Sequence, residues 1–235
     1  EEVIVEYQHV IGGEGDNAAI DIDYAPDSNF IILYGNYGFF FAKYDEEGNE
    51  LWKHELLVNE DTMFYATQFI RIGSDYYIAG FWDDFYHRKF GIMKTNENGE
   101  KLWLIKFFHS EGEVKDFTIY NPTITKVEST NLIISCALID DLIIAKIDST
   151  GDKLWEKSKD DIGYVGGLST PFQVVFTENE YLILSHYEYW KTNFNGNIVE
   201  NDSLINGFYR KTKYLNEKLF ICGPSYSEQW IRKYS

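Results

Sequence analysis

The residues best suited to binding chemistry lie in one stretch, Phe81-Trp82-Asp83-Asp84-Phe85-Tyr86-His87-Arg88. Aromatic planes beside carboxylates are the groups that hold a sugar ring or a cationic ligand, through stacking on the ring and hydrogen bonds to the acid. Three shorter stretches, Asn36-Tyr37, His186-Tyr187-Glu188-Tyr189 and Ser225-Tyr226-Ser227-Glu228, carry a similar mixture at lower density. From these we expect a recognition surface made of Trp82, Asp83, Asp84, Tyr86, His87, His186, Tyr187 and Tyr226. Trp82 is its anchor, so Trp82→Ala should abolish binding and leave the melting temperature nearly unchanged.

Catalytic groups are harder to find. The chain has no Gly-x-Ser-x-Gly elbow and no phosphate loop. Its five histidines are His9, His54, His87, His109 and His186, and no two of them stand at a metal-ligand spacing such as His-x-x-x-His. We expect no metal, no cofactor and no catalytic residue. The sharpest enzymatic alternative is a glycoside hydrolase, which needs paired carboxylates, one raised in pKa as the acid and one ionised. Asp21 and Asp23 are candidates for such a channel position, and Glu128 and Glu178 lie near strand ends, but no clear acid partner emerges.

The elements that would position these residues are written as a repeat. Lys43-Tyr44-Asp45-Glu46-Glu47-Gly48-Asn49-Glu50-Leu51-Trp52 returns from Lys94 to Trp103 and from Lys146 to Trp155. A worn copy runs from Lys191 to Glu200 without the Trp, and a fragment stands at Lys233-Tyr234-Ser235. Repetition at this period signals a solenoid, an array or a propeller. Each interval holds four strand-like runs, and the second of them, at Asn29–Leu33, Asp75–Gly80, Asn131–Ser135, Glu180–Leu184 and Lys218–Cys222, is apolar enough to suit strands covered on both faces. Inside the phrase, an Asx followed three residues later by Gly predicts a tight hairpin in which Gly48, Gly99 and Gly151 take positive φ. Asn should replace Gly99 there with less strain than Val. A calcium loop would need further alternating ligands and a late bidentate Glu, which the phrase lacks. The Trp of the phrase is expected to fill the gap between neighbouring sheets.

The unit count points to an all-β chain forming a five-bladed β-propeller with four-stranded antiparallel blades. The blades are placed at about 15–56, 61–108, 117–158 and 168–200, with the last at about 204–235 joined by 1–12. Tyr7-Gln8-His9 matches Trp52-Lys53-His54, so Val3–Val10 should close the last blade against Trp230–Tyr234 and leave no open edge. Cys136 and Cys222 fall in second strands two repeats apart and are expected to remain free thiols. With 38 acidic against 21 basic residues the net charge is −17, and no basic cluster offers a footprint for nucleic acid or an anionic membrane. No apolar run reaches the length of a membrane-spanning helix. The chain opens on Glu1-Glu2-Val3, which fits a removed leader as well as trimming.

The pattern Lys-x-Asp-x-x-Gly-x-x-Leu-Trp resembles the repeat of PQQ-type bacterial β-propellers, which include extracytoplasmic assembly and quinoprotein families. The resemblance lies in the hairpins and implies the propeller fold, Trp docking between blades and an exported or cell-envelope setting. The Thr that precedes Gly in that family is present only at Thr150, and no quinone site is implied. Together these features lead us to expect a monomeric, non-enzymatic binding or scaffold module that engages a glycan-like ligand or a protein partner through its loop face.

Overall fold

The structure is a computed structural model that describes residues 18–35, 38–84, 87–107, 120–137, 142–162, 173–177, 180–184, 188–203, 211–215, 218–224 and 229–234. The first sheet contains β1 (Ala18–Tyr24), β2 (Phe30–Gly35), β3 (Phe39–Tyr44) and β4 (Glu50–Glu55). A small hairpin, β5 (Leu57–Asn59) and β6 (Thr62–Met63), leads into the second sheet. That sheet contains β7 (Tyr65–Ile72), β8 (Asp75–Asp84), β9 (His87–Thr95) and β10 (Lys101–Phe107). The third contains β11 (Tyr120–Val127), β12 (Asn131–Ala137), β13 (Leu142–Ile147) and β14 (Lys153–Ser158), followed by a single helical turn, α1 (Lys159–Ile162). The fourth contains β15 (Gln173–Phe176), β16 (Tyr181–Leu184), β17 (Glu188–Thr192) and β18 (Ile198–Ser203). A three-stranded fifth sheet is formed by β19 (Lys211–Leu215), β20 (Lys218–Pro224) and β21 (Gln229–Tyr234). In every sheet consecutive strands pair antiparallel, and the arrangement is propeller-like. The expected closing strand Val3–Val10 lies outside the described residues.

Alternate residues of each central strand serve opposite neighbours, which is why those strands read as continuous apolar runs. On β8, Tyr76 and Ile78 join Ile31, Leu33 and Phe41 in the core between the first and second sheets. Tyr77 and Ala79 join Ile124, Ile134 and Ala145 between the second and third. Ile133 and Ile144 join Val174, Ile183 and Trp190 between the third and fourth. Cys136 is an unbridged cysteine buried in the core between the second and third sheets, and burial raises its pKa. The side chain of Cys222 lies outside the described residues.

The repeated phrase acts at three places along its length. Its Lys locks the sheet's first hairpin: Lys43 pairs with Asp27 at 2.6 Å, Lys94 with Asp75 at 2.8 Å and Lys146 with Glu128 at 2.7 Å. Its Asx side chain accepts backbone donors, as when Asp148 Oδ1 takes the N–H groups of Thr150, Gly151 and Asp152 within 3.0 Å. Gly48, Gly99, Gly151 and Gly196 all have positive φ, at 84°, 79°, 100° and 75°. In the fourth strand, the residue before each Trp position is squeezed out of register, producing a bulge at Leu51, Leu102, Leu154 and Val199. These four apolar side chains are exposed.

Each Trp then docks on the hairpin glycine of the following sheet. A Cβ at Gly99 would stand 2.6 Å from the Trp52 ring, and one at Gly196 would stand 3.1 Å from the Trp155 ring. At Gly151 the ring of Trp103 lies at 3.4 Å and Ile105 Cδ1 at 2.5 Å. Two hydrogen bonds fix the dock: Trp155 Nε1 donates to Phe194 O at 3.0 Å, and His54 Nε2 donates to Asn98 O at 2.9 Å. Clearance is therefore a second demand at Gly99 beside its positive φ, because any Cβ there meets the indole. Gly73 provides the control: its φ is also positive, at 64°, yet a Cβ there has nothing within 4 Å. We expect Gly73→Asn to change stability by less than about 0.5 kcal/mol and Gly99→Asn to cost about 1–3 kcal/mol in urea unfolding. Equal effects would show that φ alone sets the requirement.

Candidate functional site

The stretch expected to form a recognition loop is largely strand. β8 and β9 are the longest pair in the described fold, and their ladder runs through Phe81↔Phe90, Trp82↔Lys89, Asp83↔Arg88 and Asp84↔His87. The register sets Asp83 opposite Arg88. Asp83 is exposed. Asp84 and His87 are placed by their backbone register alone. Tyr86, His186, Tyr187 and Tyr226 lie outside the described residues.

Trp82 is not a surface platform. It is 2% exposed and belongs to the core between the first and second sheets. Its ring lies 6.0 Å from that of Phe64, with the ammonium of Lys106 5.8 Å above it. Two glycines make the room. A Cβ at Gly91 would stand 3.2 Å from the indole and 2.1 Å from Ile105 O, and one at Gly80 would stand 2.6 Å from Phe64. Phe64 follows directly on the inserted β5–β6 hairpin, and Lys101 Nζ ties that hairpin down through the carbonyls of Leu57 and Val58 at 3.1 and 3.0 Å. The lengthened β8–β9 pair and the extra hairpin therefore share one local core, and Trp82 fills it. The sequence signal for this was the insertion at 57–63 together with small residues at 80 and 91.

A different aromatic group is partly open to solvent at the same junction. Phe39 meets Tyr65 edge-on at 5.4 Å, and Tyr65 stacks on Phe81 at 5.1 Å with 13° between the planes. All three are half-buried. They come from β3, β7 and β8, so the strip crosses from the first sheet to the second and ends two residues from Asp83. Sequence reasoning missed Phe39 and Tyr65 because each begins a strand and reads as part of the repeat.

The first strands of successive sheets are neighbours, and polar side chains stitch them together. Asp21 Oδ2 accepts from Phe69 N at 3.1 Å, and Gln68 Oε1 accepts from Ile124 N at 3.1 Å. Thr67 donates to Pro122 O at 2.6 Å, and Thr125 donates to Val174 O at 3.1 Å. Bulges at Ile20, at Thr67 and at Asn121-Pro122 interrupt these strands at matching places and aim the side chains across the gap.

Carboxylates elsewhere are also structural. Burial raises the pKa of Glu128, but hydrogen bonds from Lys146 (2.7 Å), Tyr181 (2.6 Å) and Asn131 (2.6 Å) outweigh it and leave the carboxyl below its usual range. Tyr181 belongs to the fourth sheet, so Glu128 ties two sheets together. Asp27 is held low by Lys43, and Glu200 by Lys191 and Tyr189. The carboxyls of Asp27, Asp45, Glu128, Asp148, Asp161 and Glu200 are all displaced downward, the reverse of what a general acid requires. Glu178 lies outside the described residues. Among those described, no group of three or more His, Cys, Asp or Glu is arranged to hold a metal ion, and no helix is long and apolar enough to cross a membrane.

No protein-family model and no curated protein matches this chain. Solved structures do. A Bacteroides caccae protein of unknown function is 17% identical with a TM-score of 0.55, over 92% of this chain and 74% of its own. The Neurospora crassa Pan2 WD40 domain is 10% identical with a TM-score of 0.55, over 91% of this chain and 60% of its own. A Penicillium chrysogenum α-L-arabinanase complexed with arabinobiose is 11% identical with a TM-score of 0.51, over 90% and 76%. Identities this low establish a shared propeller-like fold and nothing about chemistry.

Two outcomes follow from the site. Trp82→Ala should lower stability by about 3–5 kcal/mol in denaturant unfolding, as expected for a large ring removed from a packed core. A variant with an unchanged midpoint would return Trp82 to the surface. Glu128, with a folded pKa below its ordinary 4.5, contributes stability above that pH and loses it as the pH falls through the folded value. Glu128→Gln should therefore lower the melting temperature at neutral pH and flatten its decline below about pH 4.5. A mutant whose acid limb runs parallel to that of the parent would show that Glu128 does not carry this linkage.

Proposed function

We propose that this chain is a non-catalytic propeller module, closed as a five-bladed ring, that engages a carbohydrate or protein partner through its loop face. One observation carries the non-catalytic reading. The five inner strands β1, β7, β11, β15 and β19 contain only two carboxylates, Asp21 and Asp23. Asp21 already holds backbone N–H groups of Phe69 and of Ile22, and Asp23 holds that of Tyr24. A glycoside hydrolase instead needs one carboxyl kept protonated and another free to attack or to activate water.

The ring reading is supported at Gly48. It has the same positive φ as the glycines that receive Trp52, Trp103 and Trp155, and it is buried as Gly99 and Gly196 are. The sequence that matches the docking segment of a preceding blade is Tyr7-Gln8-His9, so a strand over 3–10 is the natural source of an aromatic for that socket. With Trp82 removed from the surface, the strip Phe39, Tyr65 and Phe81 beside Asp83 is the recognition candidate on the loop face. The repeat assigns His186, Tyr187 and Tyr226 to neighbouring loops of the same face. An exported or envelope setting rests on the hairpin resemblance alone, and we take the module to act as a monomer.

The test is turnover. Purified protein incubated with aryl glycosides and plant and microbial polysaccharides should release no chromophore and no reducing sugar above a blank. Release that Asp21→Asn or Asp23→Asn abolishes would make the protein a hydrolase and overturn the reading.

A further inference from the structure

Three sheet junctions are locked at their outer end by the same two contacts. An indole lies on the next sheet's hairpin glycine, and a side chain of the earlier sheet donates to a carbonyl of that hairpin. Asn98 O accepts from His54, Ser149 O from Tyr77 and Lys94, and Phe194 O from Trp155. Strand register fixes where each indole stands: Trp52 is opposite Lys43, Trp103 opposite Lys94 and Trp155 opposite Lys146. In the fourth sheet the residue opposite Lys191 is Glu200.

Glu200 turns this corner back on its own sheet. Its carboxylate accepts from Lys191 Nζ at 2.8 Å and from the Tyr189 hydroxyl at 2.8 Å. The equivalent lysines, Lys43, Lys94 and Lys146, hold the acid of their sheet's first hairpin instead. Cover differs as well. Those three side chains are 13%, 14% and 7% exposed, whereas Lys191 and Glu200 are 33% and 48% exposed. The corner is roofed at three junctions and open at the fourth.

The inner part of the same face is apolar. Val174, Tyr181 and Ile183 pack on the third sheet, which puts Val175, Leu182 and Leu184 on the opposite face, and all three are buried. β19 is the neighbour of β15, so the fifth sheet lies beside that face. At this junction a solvated ion pair stands where the others have a packed ring. Exposed ion pairs contribute little, and a large ring removed from water contributes much more.

We propose that the junction between the fourth and fifth sheets is the line along which this molecule opens. β19–β21 come away from the fourth sheet together and bare Val175, Leu182 and Leu184, while the first four sheets stay locked. Local opening starts where buried contact is sparsest, and the missing lock makes this junction the sparsest of the four. The proposal goes beyond the closed-ring reading, which concerns the other side of the fifth sheet.

Native-state hydrogen exchange on the full chain tests it. A detached three-stranded sheet has no core to hold it, so its amides exchange once it leaves. Below the urea concentration of global unfolding, β20 amides should exchange at least about 10-fold faster than those of β8, β12 and β16. Exchange in β20 as slow as in β12 would overturn the proposal. Thiol labelling locates the opening. In Leu182→Cys the introduced thiol should react with iodoacetamide about 10-fold faster than buried Cys136, each rate being normalised to the unfolded chain. Peptide mapping separates both from Cys222. An equal or lower rate at position 182, even with fast exchange in β20, would put the opening on the other side of the fifth sheet and overturn the proposal. Trp155→Ala removes a lock from the third junction, so β16 should then exchange at the rate of β20. Unchanged protection of β16 would show that the indole does not hold a junction shut, and would overturn the proposal too.

Discussion

An indole lying on a glycine is the contact on which this architecture depends. Trp52, Trp103 and Trp155 each need a neighbour without a side chain, and the hairpin supplies one at a residue that must also take positive φ. Two independent demands, turn conformation and clearance, thus fall on the same residue. That coincidence explains why the phrase is so uniform from Asx to Trp while the rest of each repeat drifts. The bulge before the Trp belongs to the same device, since an extra residue in the outer strand rotates the ring toward the next sheet.

Toward the axis the same problem is solved with polar groups. Inner strands of neighbouring sheets converge but do not form a ladder, so their edge N–H and C=O groups need partners from elsewhere. Asp21, Gln68, Thr67 and Thr125 supply them, and the bulges put those side chains within reach. Carboxylates that a catalytic reading would recruit are absorbed into this stitching, as Asp21 shows, or into hydrogen bonds between sheets, as Glu128 shows with Tyr181. Acidic residues here connect sheets.

The sheets, their order and their hairpins are legible in the repeated phrase, because Gly, Asx and Trp have narrow physical uses. The candidate site is much less legible. Trp82 looks functional in the sequence because it lies outside the repeat, and that inference fails for a physical reason: an insertion outside the repeat can need its own core. Residues 57–63 bring Phe64 to the junction, and Gly80 and Gly91 open the space that Trp82 fills. Phe39 and Tyr65 have the opposite fate, being hidden in strand-like sequence although their rings remain half open.

The bulged residues carry a consequence for how the protein behaves in crowded solution. Copying the phrase also copies a hydrophobic point on the outer rim, at Leu51, Leu102, Leu154 and Val199. Spread one per sheet, such points are too separate to form a continuous sticky patch, but together they give each molecule several weak handles for others. The excess of acidic residues, net −17, sets a long-range repulsion against those handles. Colloidal stability in this molecule is therefore a balance written into the same repeat: the leucine that turns the tryptophan inward is left facing water, and the surrounding negative charge keeps neighbouring molecules apart.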